Sequence, residues 1–178
     1  MERFEALERQ LKVLKYLSNL PRRMASLHGT DNVTEFVLHD LCHEQCLNLT
    51  KAAFFVDNPD FNCTRGIAGF SRQEQCCGNC DGIWQDTKKF TDHRKSSAFN
   101  QQVRTLSHPS LKHSGDKQVE LAGNLAHDLG FKNYGLCAWP MRHDNEGFML
   151  YEKADEHDAA LDEHIVNGVS LLSFCPLF

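Results

Sequence analysis

Asn133–Met141 (NYGLCAWPM), Arg142–Glu146 (RHDNE) and Gly147–Glu152 (GFMLYE) read as two apolar strands around a charged turn, which is a β-hairpin. Behind the hairpin, Asp155–Leu172 (DEHDAALDEHIVNGVSLL) places Leu161, Ile165, Val169 and Leu172 on one helical face. Asp155 is the expected cap of that helix, and Gly168 inside it costs about 1 kcal/mol relative to alanine. Working back, Lys117–Leu129 has helical spacing through Val119, Leu121, Ala122, Leu125 and Ala126, with Gly130 as its stop. Earlier still, Lys51–Asp57 (KAAFFVD) is a strand that ends in the turn residues Asn58-Pro59-Asp60, and Cys63–Phe70 is its hairpin partner. Strands joined by hairpins, with helices between the pairs, predict an α+β fold: a mostly antiparallel central sheet with helices packed on it.

The N-terminal part is helical. Residues 2–20 carry Phe4, Leu7, Leu11, Leu14, Leu17 and Leu20 at three- and four-residue steps, an amphipathic stripe suited to a coiled-coil dimer or to packing on its own domain; Pro21 is expected to end it. A second helix is expected to start near Asn32, with Glu35 in capping-box spacing, and to run to about Leu47. Residues 71–97 are polar and rich in Cys, Gly and Lys, and read as a long irregular insertion. Val103–Leu106 reads as a short strand and Ser107–Gly115 as a loop.

Composition narrows the function. A chain of 178 residues buries roughly 70% of its unfolded surface, enough for one core without disulfides. Its longest apolar run falls well short of the ~20 residues of a membrane span, and the charged first twenty residues do not form a signal peptide. With net charge −5 and no basic stripe, nucleic acid is not expected as a direct partner. Eight cysteines in a chain read as cytoplasmic point to metal or redox chemistry more than to disulfides. The triplets at Asn32, Asn48 and Asn62 would matter only in a secreted protein.

The order of elements resembles the GAF domain family. The resemblance rests on Phe36–Asp60, where an amphipathic helix feeds an apolar strand with an acidic end. It rests also on LAHDLGFKNYGLCAWPM, RHDNE, GFMLY and the closing helix, and it covers about Leu27–Phe174. It implies residues 27–178 as a sensory domain in signal transduction or transcription regulation, binding a small molecule; the apolar stripe that precedes it reads residues 1–26 as an N-terminal helix forming a homodimer. YGLCAWPM and GFML are also similar to core strands of bacterial acyl-homoserine-lactone receptors, but their ligand-contacting aromatic and aspartate pattern does not map onto residues 54–84.

In the GAF-like reading a ligand lies between the sheet and the segment that follows the second strand. Phe70, Trp84 and Phe90 would wall it, and Arg72 would pair with an anionic group, unless the aromatics only anchor the insertion. The competing site is Cys63, Cys76, Cys77 and Cys80, where Cys77-Gly78-Asn79-Cys80 sets two thiolates at one centre, as for zinc or an iron–sulfur cluster. Cys42 and Cys46, at helical i, i+4 spacing, would be a second half-site; as members of apolar segments, they and Cys137 and Cys175 read as core residues in preference to ligands. No Gly-x-Ser-x-Gly, phosphate loop or His-Glu-x-x-His is present, so an enzyme is not expected. The remaining enzymatic reading is a cysteine nucleophile, Cys77 or Cys80, with a nearby His. A small-molecule receiver, a metal redox sensor and a small cysteine enzyme therefore stay open.

Overall fold

The computed structural model describes residues 2–27, 30–74, 82–114, 117–155 and 161–177. Helix α1 (Glu2–Ser26) is followed by α2 (Val33–Cys42), β1 (Leu49–Asn58) and β2 (Cys63–Ser71). Then come α3 (Thr87–Ser96), α4 (Ala98–Thr105), the two-residue β3 (Ser107–His108) and the single turn α5 (Leu111–Ser114). The chain closes with α6 (Gln118–Asp128), the hairpin β4 (Gly135–Pro140) and β5 (Glu146–Lys153), and α7 (Asp162–Val169) running into a 3₁₀ stretch, Ser170–Phe174.

The five strands among the described residues form one antiparallel sheet in the order β3-β2-β1-β5-β4. The expected α+β class with an antiparallel sheet is what is found. β1 lies in its centre and is buried on both sides, which explains why KAAFFVD is a continuous apolar run rather than an alternation. Ala52, Phe54 and Val56 join a core shared with α1, α2 and α7, while Ala53 and Phe55 join a second core with α4 and α6. Phe54 stacks on Trp139 in the first, and Phe55 on Phe148 in the second. Both hairpins match the expected pairs. His143 and Asp144 take φ of 60° and 57°, the paired left-handed geometry that suits a tight turn between twisted strands.

Several expectations are corrected. α1 does not stop at Pro21 but continues to Ser26. An interior proline costs a helix about 3 kcal/mol, and contacts on either side of it offset this: Leu20 before it and Leu27 after it are in the core, and Arg23 Nη1 donates to Asp40 Oδ2 at 2.8 Å. The apolar stripe of α1 also divides: Leu20 is buried and Leu17 half-buried against α2 and α7, joined by Val13 from outside the expected stripe, whereas Phe4, Leu7, Leu11 and Leu14 are exposed. α2 ends at Cys42, because residues 43–47 turn back and the Leu47 amide donates to the Leu41 carbonyl. Asn32 does not cap α2 through its side chain; its amide donates instead to the Glu35 carboxylate at 3.3 Å.

The largest correction concerns residues 71–105. The part read as irregular contains α3, and the expected strand Val103–Leu106 falls mostly within α4. These helices are specified by their caps: Asp86 accepts from the Lys89 amide at 3.1 Å and Ser97 from the Asn100 amide at 3.2 Å. Part of the expected loop 107–115 pairs with β2 as β3, and α5 follows. The closing helix starts at Asp162, with Leu161, Ile165, Val169 and Leu172 all buried, so Asp155 is not its cap.

Candidate functional site

α2 (VTEFVLHDLC) is buried along its whole length, including the polar Glu35, His39 and Asp40. A helix buries such groups at low cost where neighbouring segments supply partners; here α4 does so for Glu35, and Arg23 and Trp84 do so for Asp40. Asn100, at the start of α4, donates from Nδ2 to Glu35 Oε1 at 2.9 Å and to the Arg94 carbonyl at 3.2 Å. Its Oδ1 accepts from the Gly69 amide of β2 at 2.9 Å. Arg104 donates to Glu35 Oε1 at 3.1 Å. Arg94 is buried and donates to the Gly69 carbonyl; burial lowers its pKa from the ordinary value, opposed by the nearby Glu35 and Glu74 carboxylates. Glu74 accepts from the Ser97 hydroxyl and from the Phe99 amide, closing the start of α4 against the end of β2. His93 Nε2 lies 2.6 Å from the Glu74 carbonyl.

On the other side of α2 stands an aromatic cluster. Phe36 meets Phe90 at 4.3 Å and Trp84 at 5.2 Å between ring centroids, and His39 lies edge-on to Phe70 and Phe90. Trp84 Nε1 donates to Asp40 Oδ2 at 2.8 Å, the oxygen that also takes Arg23 of α1. Arg23 in turn lies over the Tyr16 ring, and burial raises the Tyr16 phenol pKa. His39 Nδ1 is buried and has no hydrogen-bond partner among the described residues.

The expected ligand residues are thus distributed unequally. Phe70, Trp84 and Phe90 come together, but around α2 rather than beneath a lid on the sheet. Arg72 stands apart, donating from Nη2 to Asn48 Oδ1 and the Leu49 carbonyl at 3.0 Å and to the Cys42 carbonyl at 3.4 Å. Of the expected metal residues, Cys76, Cys77 and Cys80 lie outside the described residues. Cys63 opens β2, at the opposite end of the strand from Ser71, with Sγ 3.3 Å from the Ser107 hydroxyl. Cys42 and Cys46 are core residues, and burial pushes both thiols up, Cys46 to about 12. Among the described residues no group of three His, Cys, Asp or Glu side chains is arranged to hold a metal.

Sequence reading missed Arg94 and Asn100 and took Glu35 only as a capping partner. The available signal was weak: Arg94 follows Phe90 by four residues, so both share the inner side of α3, but its Lys- and His-rich surroundings look solvated. Chemically the arrangement is a latch. Charged and amide groups on α2, α3, α4 and β2 satisfy one another out of water, and no nucleophile stands beside a free base among these residues.

No protein-family model matches the chain, and no curated protein does. Among solved structures it is similar to the GAF domain of a phosphoenolpyruvate-protein phosphotransferase from Coxiella burnetii, with a TM-score of 0.54 over 93% of this chain and 92% of that one, at 14% identity. At that identity the likeness concerns the fold, and the fold is GAF-like.

Proposed function

We propose that this domain is a regulatory receiver that binds a small molecule beside the α3–α4 cover and passes the change to α1 and α2, in signal transduction or transcription regulation. One observation carries the reading: the cover is joined to α2 and β2 through buried charged and amide groups, Glu35, Arg94 and Asn100. An apolar interface tolerates small displacements. A buried polar network does not, because each displaced donor or acceptor forfeits its partner in a low-dielectric setting. A molecule that shifts the cover therefore changes the environment of Glu35 on α2. From there Asp40, Arg23 and Tyr16 continue to α1.

The output side is proposed to be a homodimer of α1. Its inner residues Val13 and Leu20 belong to the domain core, while Phe4, Leu7, Leu11 and Leu14 stand outward in 3-4-3 spacing, the repeat of a coiled-coil seam. A copy of the same helix is the occupant whose spacing matches that seam. A cytoplasmic setting fits the free thiols of Cys42, Cys46, Cys63, Cys137 and Cys175. No helix among the described residues is long and apolar enough to cross a membrane.

The test is a thermal-shift screen of the full chain against a panel of nucleotides, organic acids, amino acids and aromatic metabolites, with mass spectrometry of compounds released on heating. Saturable stabilisation by one compound class is expected. A panel that leaves the melting temperature unchanged, with nothing co-purifying, removes the reading.

A further inference from the structure

At the end of the sheet remote from the β4–β5 turn, a groove of about 420 Å³ opens between the start of β1, the ends of β2 and β5, and the residues after α6. Three cations line it, Lys51, Arg72 and Lys132, with the hydroxyls of Thr50 and Ser71 and a single carboxylate, Glu152. In a chain of net charge −5 this is a local reversal of sign.

Each cation retains donors after its structural bonds are counted. The Lys51 ammonium gives two of its three N–H groups to the Leu129 and Gly130 carbonyls, at 2.6 and 3.1 Å. It thereby neutralises the negative end of α6, and it lies over the Phe99 and Phe131 rings at 4.8 and 5.1 Å from their centroids. Burial lowers its pKa from the ordinary lysine value, with Glu152 and Glu74 opposing, so it is an incompletely solvated cation. Arg72 uses only Nη2 in its bonds to Cys42, Asn48 and Leu49, which leaves Nη1 and Nε unengaged among the described residues. Glu152 is occupied, accepting from the Lys132 amide at 3.0 Å and facing the Thr50 hydroxyl at 3.3 Å. The Lys132 side chain is exposed at the rim.

We propose that this groove binds a small molecule through a phosphate or carboxylate group, with Lys51 and Arg72 as the fixed cations and Lys132 as the closing one. Lys51 and Arg72 are held by backbone carbonyls, Asn48 and rings before any ligand arrives, so little of their side-chain freedom is lost on binding, and all three cations line one space. The site goes beyond the proposed function: it stands on its own geometry, whether or not a molecule acts beside the α3–α4 cover.

The test is a titration of the full chain at low ionic strength with inorganic phosphate and, separately, citrate, read by amide chemical shifts, with glycerol as the neutral control. Millimolar or tighter binding of at least one anion is expected, with shifts at Ser71 and Gly130, and the tighter anion identifies the group recognised. Arg72 and Lys51 also support the fold, so the variants avoid them. Lys132→Gln is expected to weaken binding about fivefold and Glu152→Gln, which removes the competing charge, to tighten it about threefold. Lys112→Gln, at the opposite end of the sheet near Asp144, is expected to change nothing. Absence of binding by both anions, equal effects of Lys132→Gln and Lys112→Gln, or no tightening in Glu152→Gln overturns the proposal.

Discussion

Asn100 holds the α3–α4 cover at three points, and replacing it by alanine measures what the buried network contributes. The side chain is 1% exposed. Its removal leaves the Gly69 amide without its partner and vacates one lone pair each on Glu35 and on the Arg94 carbonyl, which keeps the Ser97 amide at 3.3 Å. A buried neutral group left unsatisfied costs about 1–3 kcal/mol, and Glu35 keeps Arg104 as a donor, so the lower end of that range applies to each. The sum is about 3 kcal/mol, a large share of the 5–15 kcal/mol typical of a whole domain. Urea denaturation of Asn100→Ala is expected to show that loss, with the melting temperature lowered by roughly 10 °C. Asn124→Ala, on the exposed side of α6, should stay within about 0.5 kcal/mol of the parent. A loss below about 1 kcal/mol for Asn100→Ala would mean that water reaches these groups and that the cover is not latched as described.

Two further variants and one labelling experiment probe separate parts of the molecule. Gly66→Ala would set a Cβ 1.9 Å from the Val103 carbonyl oxygen of α4, so it is expected to cost about 2–3 kcal/mol by denaturation, because backbone must move. Among the described cysteines, Cys63 is expected to react first with iodoacetamide at pH 8 in peptide mapping, since burial pushes Cys46 and Cys175 to about 12 and raises Cys42 and Cys137 as well. Leu7→Glu combined with Leu11→Glu is expected to give a monomer by sedimentation with unchanged circular dichroism; a parent chain already monomeric at high micromolar concentration would remove the α1 seam.

The elements legible in the sequence share one property: each has enough buried side chains in a row to impose a period. Both hairpins, α6 and the closing helix satisfy it, and their turns carry Asn58-Pro59 and Gly130 as punctuation. α3 buries only Phe90 and Arg94, and α4 only Phe99, Asn100 and Val103, so neither has a stripe to read. Their signal lay in the caps Asp86 and Ser97, which in a polar segment resemble ordinary loop residues. The Val103–Leu106 segment imitates a strand because its apolar residue, Val103, fills the open face left by Gly66 and Gly69 of β2, a tertiary fact. The aromatic part of the site was legible as composition but not as placement, since Phe70, Trp84 and Phe90 meet through α2, distant in sequence. Glu35 and Arg94 were hidden for the opposite reason: charged side chains are normally solvated, and only the folded arrangement shows these two out of water.

The central claim is that the α3–α4 cover responds to a bound small molecule and that α1 and α2 report it. Hydrogen exchange of the full chain, measured with and without the compound selected by the thermal-shift screen, tests it directly. Slowed exchange is expected across residues 87–105 together with altered exchange in α2 and in α1 around Tyr16–Arg23. A compound that binds saturably while leaving the amides of α2 and of residues 87–105 unchanged would contradict it.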